Sequence, residues 1–289
     1  MGLYYAFNAE ERVRVFIMNT INVIGPGISS LDYRPTSKGK TLAFQEVFPN
    51  CVEHLGLVPD YWTFADPNAA LVGFKFLLDN LSNGERYKNI KILVPDVFFK
   101  SLSDYRMYFG TTPLMRVSKG WETFQALLQK VSNLFNVIKL PVTTTKYIQL
   151  HEKNNSELKQ IFDQEYIRFM CDKVIFGTVR FDSEAVVNDT FKWGLENKLT
   201  SSVLPICSYL RAKKVRIYGF DYIGPRFYSD VATHPWSPVA NIENIDKRVE
   251  YSLSLLKKWL LWKQYHGINI VSGTRSNISL SNKILKYED

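Results

Sequence analysis

The chain has 289 residues, 46% apolar and 22% charged, the balance of a globular fold and not of a disordered one. Only 15 Gly, 12 Pro and 3 Cys exclude collagen-like and disulfide-scaffold architectures; Cys51, Cys171 and Cys207 form no CxxC pair and read as reduced thiols. A formal net charge of +8 favours an anionic partner, whether a phosphorylated small molecule, nucleic acid or an anionic membrane surface.

Taken from the start, MGLYYAFNAEERVR places acids and arginines where a secretory leader needs an apolar core, and position 6 is Ala where a myristoylation motif needs Ser or Thr. Residues 1–19 are therefore expected to be an N-terminal extension of a cytoplasmic protein. Short runs rich in β-branched and aromatic residues predict strands at Ile21–Ile24, Thr41–Phe44, Tyr61–Phe64, Ile90–Val94, Val137–Leu140, Val174–Phe176, Val215–Tyr218 and Ile268–Val271. Between them, helices are predicted at Ala69–Asn80, Trp121–Leu134, Asn155–Met170, Ser201–Arg211 and Asp246–His266. The last shows the clearest period, with Val249, Leu253, Leu256 and Leu260 on one face. Pro113–Lys119 and Pro141–Lys146 read as loops.

Strands of four to six residues alternating with longer helices predict an α/β, Rossmann-like fold: a mostly parallel sheet flanked by helices, with a small inserted or lid-like subdomain. The chain reads as one nucleotide-binding α/β domain over 1–289, with a lid or active-site loop over about 222–245. No stretch approaches 18 uninterrupted apolar residues, so no membrane span is expected, while peripheral membrane contact stays open. Lys and Arg occur in ones and twos, as in Lys213/Lys214 and Lys257/Lys258, which argues against a nucleic-acid tail.

Four segments carry candidate chemistry. Gly25-Pro26-Gly27-Ile28-Ser29 follows the first strand, and a Gly-x-Gly turn there either lets backbone approach a phosphate or simply turns the chain. Position 30 is Ser where the dinucleotide fingerprint requires a third glycine, and no Walker Lys follows. Asp66 stands at a strand end, where open α/β sheets bind ligands, and also precedes Pro67 as a helix N-cap would. Thr200, Ser201 and Ser202 sit at a predicted helix start, a ready anion site, and the next strand ends in Gly219, Asp221 and Tyr222. Beyond it, Arg226, Tyr228, Asp230 and His234 fall in the predicted loop; an imidazole there is a candidate general base or an exposed loop residue. His54, His151 and His266 read as chemically idle. No HExxH, Asp-x-Asp or Gly-x-Ser-x-Gly pattern occurs.

These segments resemble the bacterial sialyltransferases of glycosyltransferase family 42, and a related group of archaeal 6-hydroxymethylpterin diphosphokinases and flagellin-glycosylation factors. The shared order is a Gly-x-Gly-Pro-Ser turn, a Thr-Ser-Gly helix start and a strand ending Ser-Gly-Ile-Asp-Phe-Tyr. Here these become Gly25-Pro26-Gly27-Ile28-Ser29, Thr200-Ser201-Ser202 and Tyr218-Gly219-Phe220-Asp221-Tyr222-Ile223. The resemblance implies that Gly25, Gly27, Ser29, Thr200, Ser201, Gly219 and Asp221 contact the cytidine monophosphate of a nucleotide-sugar donor. It further implies transfer to a glycan acceptor; the mechanism expected for it has His234 as base and Tyr228 and Arg226 meeting the leaving phosphate, whose charge is already delocalised, so that no metal is required. The chain departs from the family at Pro26, at Phe44 or Gln45, and at Asp66, where the family has asparagines. His234 also lies twelve residues before Asp246, farther than the family's histidine from its final helix. Under the alternative, a pterin-diphosphokinase-like enzyme using ATP, Mg²⁺ would be bound by Asp66, Asp221 and Asp230; a non-catalytic nucleotide-binding protein is the third reading.

Overall fold

The structure, a computed structural model, describes residues 20–35, 39–64, 67–103, 118–143, 174–175, 203–221, 226–228, 253, 256, 268–276 and 284–288. The apolar runs form β1 (Thr20–Ile24), β2 (Lys40–Phe44), β3 (Tyr61–Thr63), β4 (Lys91–Pro95), β5 (Asn136–Leu140), β8 (Lys214–Tyr218) and β9 (Asn269–Ser272). Together they build one seven-stranded sheet in the order β5-β4-β3-β2-β1-β8-β9. Every neighbouring pair is parallel, which is stricter than the mostly parallel sheet expected.

The order is a consequence of two walks. From β1 the chain steps outward through β2, β3, β4 and β5; it then returns to the other side of β1 and adds β8 and β9. Connections thus leave β1 and β8 in opposite senses, which makes their carboxyl ends a topological switch point, the position at which open α/β sheets take ligands. Ile21, Val23, Ile24, Leu42, Val215 and Ile217 are completely buried, as a parallel sheet covered on both faces requires.

The connections carry α1 (Val47–His54), α2 (Pro67–Asp79), α3 (Gly84–Tyr87) and α4 (Ser118–Leu134), with α1 packing on α2 and α2 on α4. Aromatic rings join this layer to the sheet. Phe48 of α1 stacks on Trp62 of β3 at 4.9 Å between centroids, and Trp62 meets Phe64 at 5.0 Å and Phe74 at 5.7 Å. The chain of rings continues through Phe98 and Phe124 to Trp121. Trp62 donates its indole N–H to the Gln45 carbonyl at 2.8 Å, so its polar atom is satisfied inside the core. Gly73 faces this ring, and a Cβ there would run into it.

Several elements differ from expectation. Helix α1 was not anticipated; Pro49 sits inside it, but in the first turn, where a missing N–H removes no helical hydrogen bond. Val142–Thr143, expected in a loop, forms β6 and pairs in parallel with β7 (Val174–Ile175) in a separate two-stranded sheet. The strand expected at Val174–Phe176 therefore does not join the main sheet. Of the helix expected over Ser201–Arg211, residues 201 and 202 lie outside the described residues, and the described part is α5 (Leu204–Tyr209). It stops because Arg211 adopts φ +56° and the Ala212 N–H turns back to the Cys207 carbonyl at 3.0 Å. The extension over 1–19, the helix at Asn155–Met170 and most of Asp246–His266 and of the lid over 222–245 lie outside the described residues. Leu253 and Leu256 are helical, Leu256 being fully buried, and of the lid Arg226–Tyr228 are described.

At the β9 edge the terminal segment adds a last pairing. Ser272 donates to the Lys286 carbonyl at 2.9 Å, Glu288 donates back to Ser272 at 3.0 Å, and Lys214 and Glu288 form an ion pair. This covers backbone that an edge strand would otherwise present.

Trp62 touches β3, α1 and α2 at once, so Trp62→Ala is expected to cost about 3–5 kcal/mol of unfolding free energy. Urea titration followed by circular dichroism measures it; a loss below about 1 kcal/mol would mean the ring ladder does not hold the layers together.

Candidate functional site

At this switch point, the ends of β1 and β8 are closed onto one another. Gly25 donates to the Tyr218 carbonyl at 2.8 Å and Gly27 to the Gly219 carbonyl at 2.7 Å, so the pairing continues past both strands. This continuation brings backbone against backbone. A Cβ on Gly25 would stand 2.5 Å from the Gly219 oxygen, and one on Gly27 would overlap the Asp221 carboxylate. Gly219 itself has φ +69°, and a Cβ there would overlap the Ser30 hydroxyl. The glycines expected to admit a phosphate thus admit each other.

Asp221 is the polar centre of this closure. It is 1% exposed and accepts the Ser29 N–H at 2.9 Å and the Ser29 hydroxyl, while Gly219 donates its N–H to the same hydroxyl oxygen at 3.1 Å. Ser30 adds a bond from its hydroxyl to the Gly25 carbonyl at 2.8 Å. Burial pushes the Asp221 carboxyl above its ordinary pKa; the two Ser29 hydrogen bonds pull the other way, and the charge of Asp32 adds to the rise.

A second polar group lies beside the first. The 226–228 segment crosses the end of β1: Arg226 bridges Gly27 in antiparallel fashion, and Phe227 donates to the Pro26 carbonyl at 3.1 Å. From there Arg226 Nη1 donates to Glu46 Oε1 at 3.0 Å and to the Tyr228 hydroxyl at 2.7 Å. The Arg226 and Glu46 side chains are only 15% and 14% exposed. Burial and the adjacent Glu46 charge push the Tyr228 phenol well above its ordinary range. Phe227 and Tyr228 also lie along α1, each ring 6.4 Å from that of the exposed His54.

Of the residues selected from the sequence, the structure gathers Gly25, Gly27, Ser29, Gly219 and Asp221 into the closure, with Arg226 and Tyr228 next to them. Asp66, Thr200, Ser201, Ser202, Tyr222, Asp230 and His234 lie outside the described residues. Glu46, Ser30 and Gln45 were overlooked. Glu46 had one readable signal, an acid directly after a strand end, and its partner is 180 residues away. Among the described residues no group of three or more His, Cys, Asp or Glu side chains is placed to hold a metal, and no helix is long and apolar enough to cross a membrane.

The architecture is that of an α/β protein with a Rossmann-like layout and its topological switch point at β1 and β8. No family model, curated protein or solved structure matches the chain.

A carboxyl with a raised native pKa lends stability that is fully present below its unfolded value, about 3.9, and is lost as pH rises through the native value. Asp221→Asn removes the ionisation and keeps an acceptor for the Ser29 N–H. Its unfolding free energy is therefore expected to fall less steeply above pH about 4 than that of the natural chain. Parallel slopes in denaturant titrations across pH 4–8 would show that Asp221 is not the group responsible.

Proposed function

We propose that this chain binds a nucleotide at the carboxyl ends of β1 and β8 and acts as a sialyltransferase-like glycosyltransferase, with a CMP-activated sugar as donor and a glycan as acceptor. The observation that carries the binding step is the switch point itself, the place where open α/β sheets take ligands. Arg226, tied to Gly27 at that edge, supplies a permanent cation for an anionic group, and the net charge of +8 favours the same class of ligand. The transfer step rests on the resemblance of the Gly25–Ser29, Thr200–Ser202 and Tyr218–Ile223 segments to the sialyltransferases.

In this reading the acceptor oxygen forms a bond to the anomeric carbon as the bond from that carbon to the phosphate oxygen breaks. His234 takes the acceptor hydroxyl proton, and CMP leaves with the electron pair. Arg226 and Tyr228 meet the negative charge on the departing phosphate, each such donor contributing on the order of 2–4 kcal/mol to the barrier. Asp221 acts by holding the closed backbone against which the nucleotide lies, since both its oxygens are bonded to Ser29.

CMP is accordingly expected to raise the melting temperature more than ATP or NAD does, and EDTA to leave the shift intact. A shift seen only with ATP and Mg²⁺ would replace this reading with phosphoryl transfer. For the chemical step, His234→Ala is expected to lower turnover roughly 10²–10⁴-fold with CMP affinity unchanged. Single-turnover transfer at the natural rate in that variant would place the base elsewhere.

A further inference from the structure

We propose that Glu46 is a positioning residue, which sets the Arg226 guanidinium and the Tyr228 hydroxyl to receive the phosphate group of the nucleotide at the carboxyl end of β1; this rests on the nucleotide reading above.

The argument starts at Gln45. It is 2% exposed and has φ +58°, a left-handed conformation unusual for a residue with a side chain. Such a conformation persists only where its surroundings over-determine it, and they do here. Gln45 donates its N–H to the Thr63 carbonyl at 2.8 Å, and its own carbonyl receives the Trp62 indole N–H at 2.8 Å. The chain therefore turns sharply off β2 and delivers Glu46 to the N-cap of α1.

An acidic residue at that position would ordinarily bond the first helical N–H groups. The Glu46 side chain makes no such cap. Its carboxylate reaches instead to Arg226 Nη1, and the same nitrogen donates to the Tyr228 hydroxyl, so the guanidinium ties the two together. Both ends are anchored: the Glu46 carbonyl accepts the Asn50 side-chain amide at 2.7 Å, and Arg226 is held by its bridge to Gly27. Nη1 uses its two hydrogens on these two oxygens, which leaves Nε and Nη2 with three further N–H donors in a fixed plane. That is the geometry that recognises a phosphate.

A pair buried to this degree is poorly explained by stability alone, because an apolar pair of similar volume would serve the fold as well. Orientation is what an ion pair adds. The tyrosine makes it selective, since a guanidinium bonded to two oxygens at one nitrogen cannot rotate without breaking both bonds.

The test uses the full chain with Glu46→Gln and the conservative Glu46→Asp. CMP affinity is measured by calorimetry, and the Tyr228 environment by NMR of protein labelled with ¹³C at the tyrosine Cζ; Tyr228→Phe assigns its signal among the 16 tyrosines. Glu46→Gln is expected to weaken CMP binding about tenfold or more and to shift the Tyr228 signal, with Glu46→Asp recovering part of both. Unchanged affinity and an unmoved signal would overturn the proposal while leaving nucleotide binding in place. If the natural chain does not bind CMP, the nucleotide reading is what fails; the Tyr228 signal then decides the role of Glu46, a shift supporting the positioning role and its absence refuting it.

Discussion

Backbone meets backbone at the carboxyl ends of β1 and β8, and this close approach is the constraint on which the rest of the edge is arranged. Gly25 and Gly219 lie so near one another that neither tolerates a Cβ, and Gly27 is excluded from bearing one by the Asp221 carboxylate. Once the two strand ends are drawn together, Ser29 is carried over β8, where its N–H and hydroxyl meet Asp221. The approach is therefore glued by a buried carboxylate and three donors, with Gly219 supplying the third to Ser29. A buried polar group left unpaired here would be costly, so the turn and the acid depend on one another.

The second group at the edge hangs on the first. Arg226 is placed by its bridge to Gly27 and Phe227 by its bond to Pro26, so the segment crossing β1 inherits its position from the glycine turn. On the β2 side, the ring ladder reaches the same edge through the Trp62 indole and the Gln45 carbonyl. Apolar packing in the helix layer and polar geometry at the edge are thus linked by a single hydrogen bond. Among the described residues Trp62 is at once the largest fully buried side chain and the group that braces the turn leading to Glu46.

Much of the sheet was readable before folding was considered. Ile21–Ile24 and Val215–Tyr218 are β-branched runs followed by glycine and Thr41–Phe44 is a short apolar run, and each is a strand within one residue of its predicted bounds. Their neighbours were not readable, because the order along the sheet depends on pairings between distant segments. Helix α1 escaped because Val47, Phe48 and Pro49 open it without a helix-forming start signal. The glycine turn was recognised as a place of close approach, but what approaches within the chain is Gly219 and Asp221, just past the adjacent strand β8 and some 190 residues away in sequence. The placement of Glu46 beside Arg226 was not legible for a related reason: it follows from a left-handed Gln45, and nothing local to Gln45 announces that conformation.

The placement of β1 between β2 and β8 also has a temporal side. Residues 20–140 contain five consecutive strands of the sheet, and they leave the ribosome well before β8 does. Until Lys214–Tyr218 emerge, β1 is an edge strand, carrying the sequence Ile21-Asn22-Val23-Ile24 and a glycine turn whose hydrogen-bonding partners have not been synthesised. At roughly 5–20 residues per second, that interval lasts on the order of 4–15 seconds. A nascent chain with an apolar open edge for so long is a substrate for chaperones and for strand pairing with a neighbouring copy. An interior strand of the finished sheet is, during synthesis, one of its open borders.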